Sequence, residues 1–268
     1  MDNWSSNLSP FGGWHTSGGT KTPAEQIKDM LSGTSGFVLD PTDLATMWTT
    51  SAKTTPVASP NDPVGSFLSS LGNTPYTWQQ TVAEARPTWD GAGGLIYDGT
   101  DDGLVNASNP CFNGASVGFF AVSIRTDPVL SARQVGYFSS GLNVNVGRVD
   151  ISYNSTGRLL PVIRRDDAIA GVSYQSANGA ILPDAQNNII LAMDFTGTNT
   201  LTAWVNGVQV ISTAMTDSTG PCSSTNSQRM SFAAGSHKGK IGRVTAGPVL
   251  PSAAQRSAIN DWLGQVPL

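Results

Sequence analysis

The sequence predicts an all-β fold, an antiparallel sandwich with an irregular N-terminal arm and a short C-terminal helix, and three observations carry that prediction. Only 13% of the 268 residues are charged, about half the share usual in globular proteins. Gly, Ser, Thr and Asn take their place, a composition suited to short strands joined by tight turns rather than to surface helices. Glu, a helix former, occurs only at Glu25 and Glu84, against seventeen Asp, which favour turns and caps. Beyond residue 94, apolar runs recur at strand length, separated by turn residues and without intervening helical patterns. With 39% hydrophobic residues the chain can bury a sizeable core.

Each element has its own local signal. Residues 1–36 read as an arm in which Trp4, Phe11 and Trp14 stand as isolated aromatic anchors among glycines. Within it, Thr22-Pro23-Ala24-Glu25 has the cap and first-turn proline of a helix start, and the helix can run through Ile27 and Met30 to Leu31. Such an arm cannot form its own core, so it packs either on its own domain or into a partner. Residues 37–268 read as the sandwich, with 37–90 as an irregular lead-in that wraps the surface and covers sheet edges. Asp40-Pro41-Thr42-Asp43 predicts a short helix through Met47-Trp48, and Pro56, Pro60, Pro63 and Pro75 forbid long regular elements.

Strands are predicted at 94–98, 103–105, 117–125, 135–138, 143–146, 149–153, 158–163, 188–195, 200–205, 208–211, 230–234 and 239–244. Asn206-Gly207 is a strong two-residue hairpin signal between two of them. The period then switches. Pro251 to Gly264 reads as one helix with Ala258, Ile259, Trp262 and Leu263 on its apolar face and the glycine as its stop.

Charge and targeting narrow the function classes. The net charge of −4 shows no basic bias and argues against nucleic-acid binding. The local basic group His237, Lys238, Lys240 and Arg243 reads as a solvated turn between strands. The first residues lack the basic start and apolar run of a signal peptide. No stretch reaches the roughly 18 apolar residues of a membrane span, so synthesis in a cytoplasm without membrane insertion is expected. The glycosylation triplets at Asn3, Asn7, Asn106 and Asn154 carry little weight without secretion. Cys111 and Cys222 each follow a proline in a loop. A bridge between them would stabilise by roughly 3–5 kcal/mol in an oxidising compartment; thiols are expected otherwise.

Four blocks resemble the concanavalin A-like lectin/glucanase superfamily, in its laminin-G-like jelly-roll branch found in phage virion proteins. They are Leu39 to Trp48 with Pro63-Val64-Gly65; Ala85-Arg86-Pro87-Thr88-Trp89 with Leu95 to Leu104; the hairpin Leu201 to Gly207; and Gly242-Arg243-Val244 leading through Leu250-Pro251 to Trp262-Leu263. The resemblance covers about residues 37–266, and the arm matches nothing in it. It implies a concanavalin A-like sandwich and a non-enzymatic virion structural protein, a tail fibre, spike or capsid-decorating component. Such a protein would be localised to the virion, contact other virion proteins and possible host-surface glycans, and form a homo-oligomer, a trimer by analogy. The alternatives are a stand-alone carbohydrate-binding lectin module and a glycoside hydrolase.

Candidate sites are few. Glucanases of the superfamily use a Glu-x-Asp-x-Glu strand, which is absent, and no catalytic residue is assigned. Gly114-Ala115-Ser116-Val117-Gly118 fits the nucleophile-elbow pattern, but a strand rather than a helix follows the serine, and only His15 and His237 offer a base. Asp98, Asp101 and Asp102 form the candidate metal site, because clustered hard oxygens suit Ca²⁺. Their other reading is that they bond turn amides and fix the bend between strands. No cofactor is required; Ca²⁺ is the one candidate. Arg164-Arg165-Asp166-Asp167 reads as a charged turn, and Arg86 as a partner for the acidic cluster. Tyr153, Tyr174 and Trp78 are weighed as a sugar platform and assigned to core or interface instead.

Overall fold

The computed structural model describes residues 20–71, 76–106, 111–131, 133–140, 148–165, 172–216, 220–222, 228–232 and 237–268. Most of the N-terminal arm (1–19, with His15, Asn3 and Asn7), the 143–146 strand, Asp166-Asp167 and the end of the 230–234 strand lie outside them.

Helix α1, Pro23–Leu31, starts as its sequence dictates: Thr22 and Glu25 form a reciprocal capping box, with proline in the first turn. The lead-in then departs from the prediction. Asp40 accepts from the Thr42 amide and hydroxyl, at 3.0 and 2.7 Å, and only one 3₁₀ turn, Leu44–Thr46, follows. The lead-in supplies strands rather than a cover: β1 (Phe37–Leu39), β2 (Met47–Trp48), β3 (Ser66–Leu68), β4 (Thr77–Gln79) and β5 (Thr88–Trp89). After it come β6 (Leu95–Asp98), β7 (Leu104–Asn106), β8 (Val117–Thr126), β9 (Arg133–Ser140), β10 (Arg148–Tyr153) and β11 (Leu159–Arg164). The remaining strands are β12 (Val172–Ser173), β13 (Gln186–Asp194), β14 (Thr200–Val205), β15 (Val208–Ala214), β16 (Gln228–Phe232) and β17 (Lys238–Gly247). Helix α2, Ala253–Gly264, closes the chain.

These strands form two antiparallel sheets. The first runs β15-β14-β13-β8-β17-β6-β5, with β1 also on β17; the second runs β12-β11-β10-β9-β16-β7-β4-β3-β2. The fold is therefore the predicted all-β sandwich. Its main core draws Phe120, Val122, Ile124, Leu191 and Met193 from the first sheet, and Phe67, Trp78, Leu104, Ile151 and Leu159 from the second. Alternate residues of β8 and β13, namely Phe119, Ala121 and Ile190, point the other way and join α1 (Ile27, Leu31) and α2 (Ile259, Trp262, Leu263) in a second cluster. The centre of the first sheet is thus buried on both faces, which is why β8 and β13 read as continuous apolar runs. The described part of the arm packs on its own domain.

The first sheet carries one irregularity that matters for function. Against β8, the register of β17 shifts between Ile241 and Val244, so Gly242 and Arg243 both oppose Ser123. This is a β-bulge. The Arg243 amide donates to Ser123 Oγ at 2.9 Å, and a Cβ at Gly242 would lie 2.6 Å from that same oxygen.

Candidate functional site

The bulge divides the basic group of β17. It is not a solvated turn: Lys238, Lys240 and Arg243 lie on β17 and His237 directly before it, each in its own surroundings. His237 is fully buried, its ring edge-on to Tyr97 and Tyr153, with Nδ1 3.4 Å from the Tyr153 hydroxyl. Arg243 turns toward α2. It pairs with Asp40 at 3.0 Å, donates to the Trp262 carbonyl at 2.6 Å and lies over the Trp262 ring. Lys238 and Lys240 face a groove of about 540 Å³ at one end of the first sheet.

Strands β6, β17 and β8 build the floor of this groove, and the turns at Asp127-Pro128 and Asp184 build its lip. The strands approach closely at Gly239, whose φ is +133° and where a Cβ would sit 2.2 Å from the Arg125 carbonyl oxygen. Arg125 and Lys240 are direct cross-strand partners, a like-charge opposition that is unfavourable by itself. Each is offset by an aspartate. Arg125 forks onto Asp184 Oδ1 through Nε and Nη2, at 3.1 and 2.8 Å, and its Nη1 donates to the Leu268 carbonyl at 2.7 Å. Lys240 reaches Asp90 at 2.8 Å, and Lys238 reaches Asp127 at 3.1 Å. Asp90 also accepts from the amides of Ala92, Gly93 and Gly94. Burial opposes its charge, but the Lys240 ammonium and these amides outweigh burial and hold the carboxyl below its ordinary pKa.

The predicted acidic cluster adjoins this groove, to which it contributes Asp98. Asp98, Asp101 and Asp102 each offer a carboxylate oxygen, all within 4.8 Å of one another. The donors are of the right chemistry for Ca²⁺, but three carboxylates are about half of the six to eight oxygens it takes. Two of them hold the turn: Asp102 accepts from the Asp98 amide at 2.8 Å, and Asp98 from the Thr100 amide at 2.7 Å. Burial, followed by the charges of Asp98 and Asp101, pushes the Asp102 carboxyl above its ordinary pKa despite the Asp98 amide.

Other predicted residues fall elsewhere. Arg86 does not reach the acidic cluster; it donates to the carbonyls of Gln80 and Thr81, closing its own loop. Tyr153, Tyr174 and Trp78 are buried and present no sugar platform. Ser116 precedes β8 in a turn, as its sequence surroundings require. Cys111 is buried, and backbone hydrogen bonds tie its segment to that of Cys222: the Cys222 amide donates to the Ala115 carbonyl at 2.7 Å and the Gly114 amide to the Cys222 carbonyl at 2.8 Å. Burial raises the Cys111 thiol well above its ordinary pKa. Sequence reasoning missed Arg125, Asp127 and Asp184. The only signal available was a charge on an otherwise apolar strand, and its aspartate partner lies 59 residues away.

No protein-family model matches the chain, and no curated protein matches its sequence. Solved structures do match its fold. The CBM40 module of the Ruminococcus gnavus IT-sialidase, bound to alpha2,3 sialyllactose, superposes with a TM-score of 0.51 at 13% identity over 62% of this chain and 95% of that one. The same module bound to alpha2,6 sialyllactose gives 0.51 over 63% and 96%, again at 13% identity. Botulinum neurotoxin type C, whose cell entry depends on interaction with two ganglioside molecules, gives 0.50 at 10% identity over 74% of this chain and 49% of that one.

Proposed function

We propose that the chain is a non-catalytic glycan-binding module whose ligand lies in the groove of Arg125, Lys238 and Lys240. The carrying observation is that the groove presents cations and carboxylates side by side, each fixed by its partner. Sugar hydroxyls donate and accept at once, so they suit a surface that offers both kinds of group already oriented. The likeness in fold to structures bound to sialyllactose supports this reading. Asp127 and Asp184 are engaged by cations, which leaves neither placed as the general acid that glycoside hydrolysis needs.

The sequence resemblance sets such a module on a virion among other virion proteins. The solved structures of similar fold support its lectin-like part and say nothing of a particle. Probing purified phage particles for this chain tests that wider setting.

Glycan-array binding by the full chain tests the proposal directly. Wild type binds a defined glycan class without releasing product, and Arg125→Ala weakens binding at least about tenfold, the loss of one charge-assisted hydrogen bond. Absence of binding to any glycan overturns it, as does turnover that an Asp127 or Asp184 substitution abolishes.

A further inference from the structure

Helix α2 covers the outer face of the first sheet, where Ile259, Trp262 and Leu263 pack with Phe119, Ala121 and Ile190. On the β14 side the cover is incomplete. Trp204 is only partly buried there, and a pocket of about 200 Å³ opens between the strands and the helix. Ile190, Trp204 and Ala253 supply its apolar lining, and Arg256, Ser257 and Asn260 its polar lining. The four helical residues recur three or four positions apart, which places them on one face of α2.

Every polar side chain in this lining can donate, and none is anionic. Arg256 lies over the Trp204 ring at 4.5 Å, and its Nη1 donates to the Pro251 carbonyl at 2.8 Å. Stacking sets the guanidinium plane, and the hydrogen bond sets its rotation within that plane. Among the described residues the Nε–Nη2 edge has no partner and Arg256 forms no ion pair. Arg125, Lys238, Lys240 and Arg243 each hold an aspartate instead. Asn260 Oδ1 is buried without a hydrogen-bond partner, while its Nδ2 is turned toward Gly207, another residue of the lining. Ser257 is exposed and adds a hydroxyl.

We propose that this pocket binds a small carboxylate, taken bidentately by the Nε–Nη2 edge of Arg256, with Ser257 and Asn260 as further donors. That edge and a carboxylate match as two planar forks, and a guanidinium already fixed on both counts loses little freedom on binding. Ordinary ligand sites begin at roughly 300 Å³, so this one takes a single small acid or one acidic ring and not an extended chain. It shares no lining residue with the groove of Arg125.

The test is a side-chain NMR titration of the full chain with acetate, galacturonate and galactose, the last being the neutral counterpart of galacturonate. The Trp204 indole and Arg256 Nε–H signals are expected to shift saturably with a carboxylate and to stay in place with galactose. Equal affinity for acetate and galacturonate identifies the ligand as a free acid; a preference for galacturonate identifies it as an acidic sugar residue. Arg256→Lys keeps the charge, loses the fork and weakens binding, read at Trp204, at least about tenfold. Asn260→Asp sets a carboxylate four residues from Arg256, where it occupies the fork and abolishes binding, so the test stands even if the lysine variant does not fold. Because the signals belong to Trp204 and Arg256, the result is independent of glycan binding in the groove. No saturable shift with either acid, equal shifts with galactose, or binding that the folded variants leave intact overturns the proposal.

Discussion

Arg243 and Arg125 lie on adjacent strands, β17 and β8, and each holds an aspartate, Asp40 at 3.0 Å and Asp184 at 2.8 Å. Their surroundings differ. The Arg243 pair is sealed under α2, with side chains 10% and 18% exposed, while the Arg125 pair stands 40% and 55% exposed at the groove lip. A buried cation cannot shed its partner without leaving a charge in low dielectric, so the first pair is committed to structure. The second can exchange its partner for a ligand at little cost, because water already screens it. Identical chemistry is thus committed to the scaffold in one place and left exchangeable in the other, and burial makes the difference.

Truncating the sealed pair breaks the comparison most severely. Arg243→Ala leaves Asp40 unpaired and uncovers the Trp262 ring, and about 3–5 kcal/mol of stability is lost, measured by urea unfolding. At the intermediate position, Lys240→Ala strips the ammonium from Asp90, which is only 3% exposed, and costs roughly 1–3 kcal/mol. Its pH signature is specific. The Asp90 carboxyl sits below its unfolded pKa, so its contribution is present above that unfolded value and lost as pH falls through the folded one. Lys240→Ala therefore flattens the acid limb of the stability curve, read as Tm against pH. Arg125→Ala sharpens the contrast from the other side. Its cost is about 0–1 kcal/mol, while glycan binding collapses.

The smallest effect belongs to the acidic turn. Asp102 has a raised pKa, so charging it costs stability that is fully present at neutral pH and relieved as pH falls through the raised value. Asp102→Asn keeps an acceptor for the Asp98 amide and leaves stability unchanged or slightly higher at pH 7. Ca²⁺ or a chelator leaves the Tm unmoved if the three carboxylates act only within the turn; a Ca²⁺-dependent rise in Tm shows that they bind the ion.

The legible parts of the molecule were those encoded locally. The α1 cap, the 206–207 turn and the long apolar runs of β8 and β13 all rest on neighbours within a few residues. Strand ends were less legible. β15 runs three residues past its apolar stretch, because Ser212, Thr213 and Ala214 are held by the ladder to β14 rather than by burial. Gly264 lies within the last turn of α2 instead of stopping it, and Gln265 continues in helical conformation beyond it. The short strands of the lead-in were illegible, since two or three residues carry no measurable period and pair only because a sheet edge receives them. The groove was hidden for a related reason: its pairs join Arg125 to Asp184 and Lys240 to Asp90, across 59 and 150 positions.

The bulge at Gly242-Arg243 has a consequence for how such a protein changes over time. Lys238 and Lys240, before it, face the groove, and the residues after it are buried, so a substitution at the exposed Lys238 leaves the inward half of the strand undisturbed, whereas Lys240 is also held by Asp90. A single extra residue partitions one strand into a half open to substitution at its surface and a half fixed by packing.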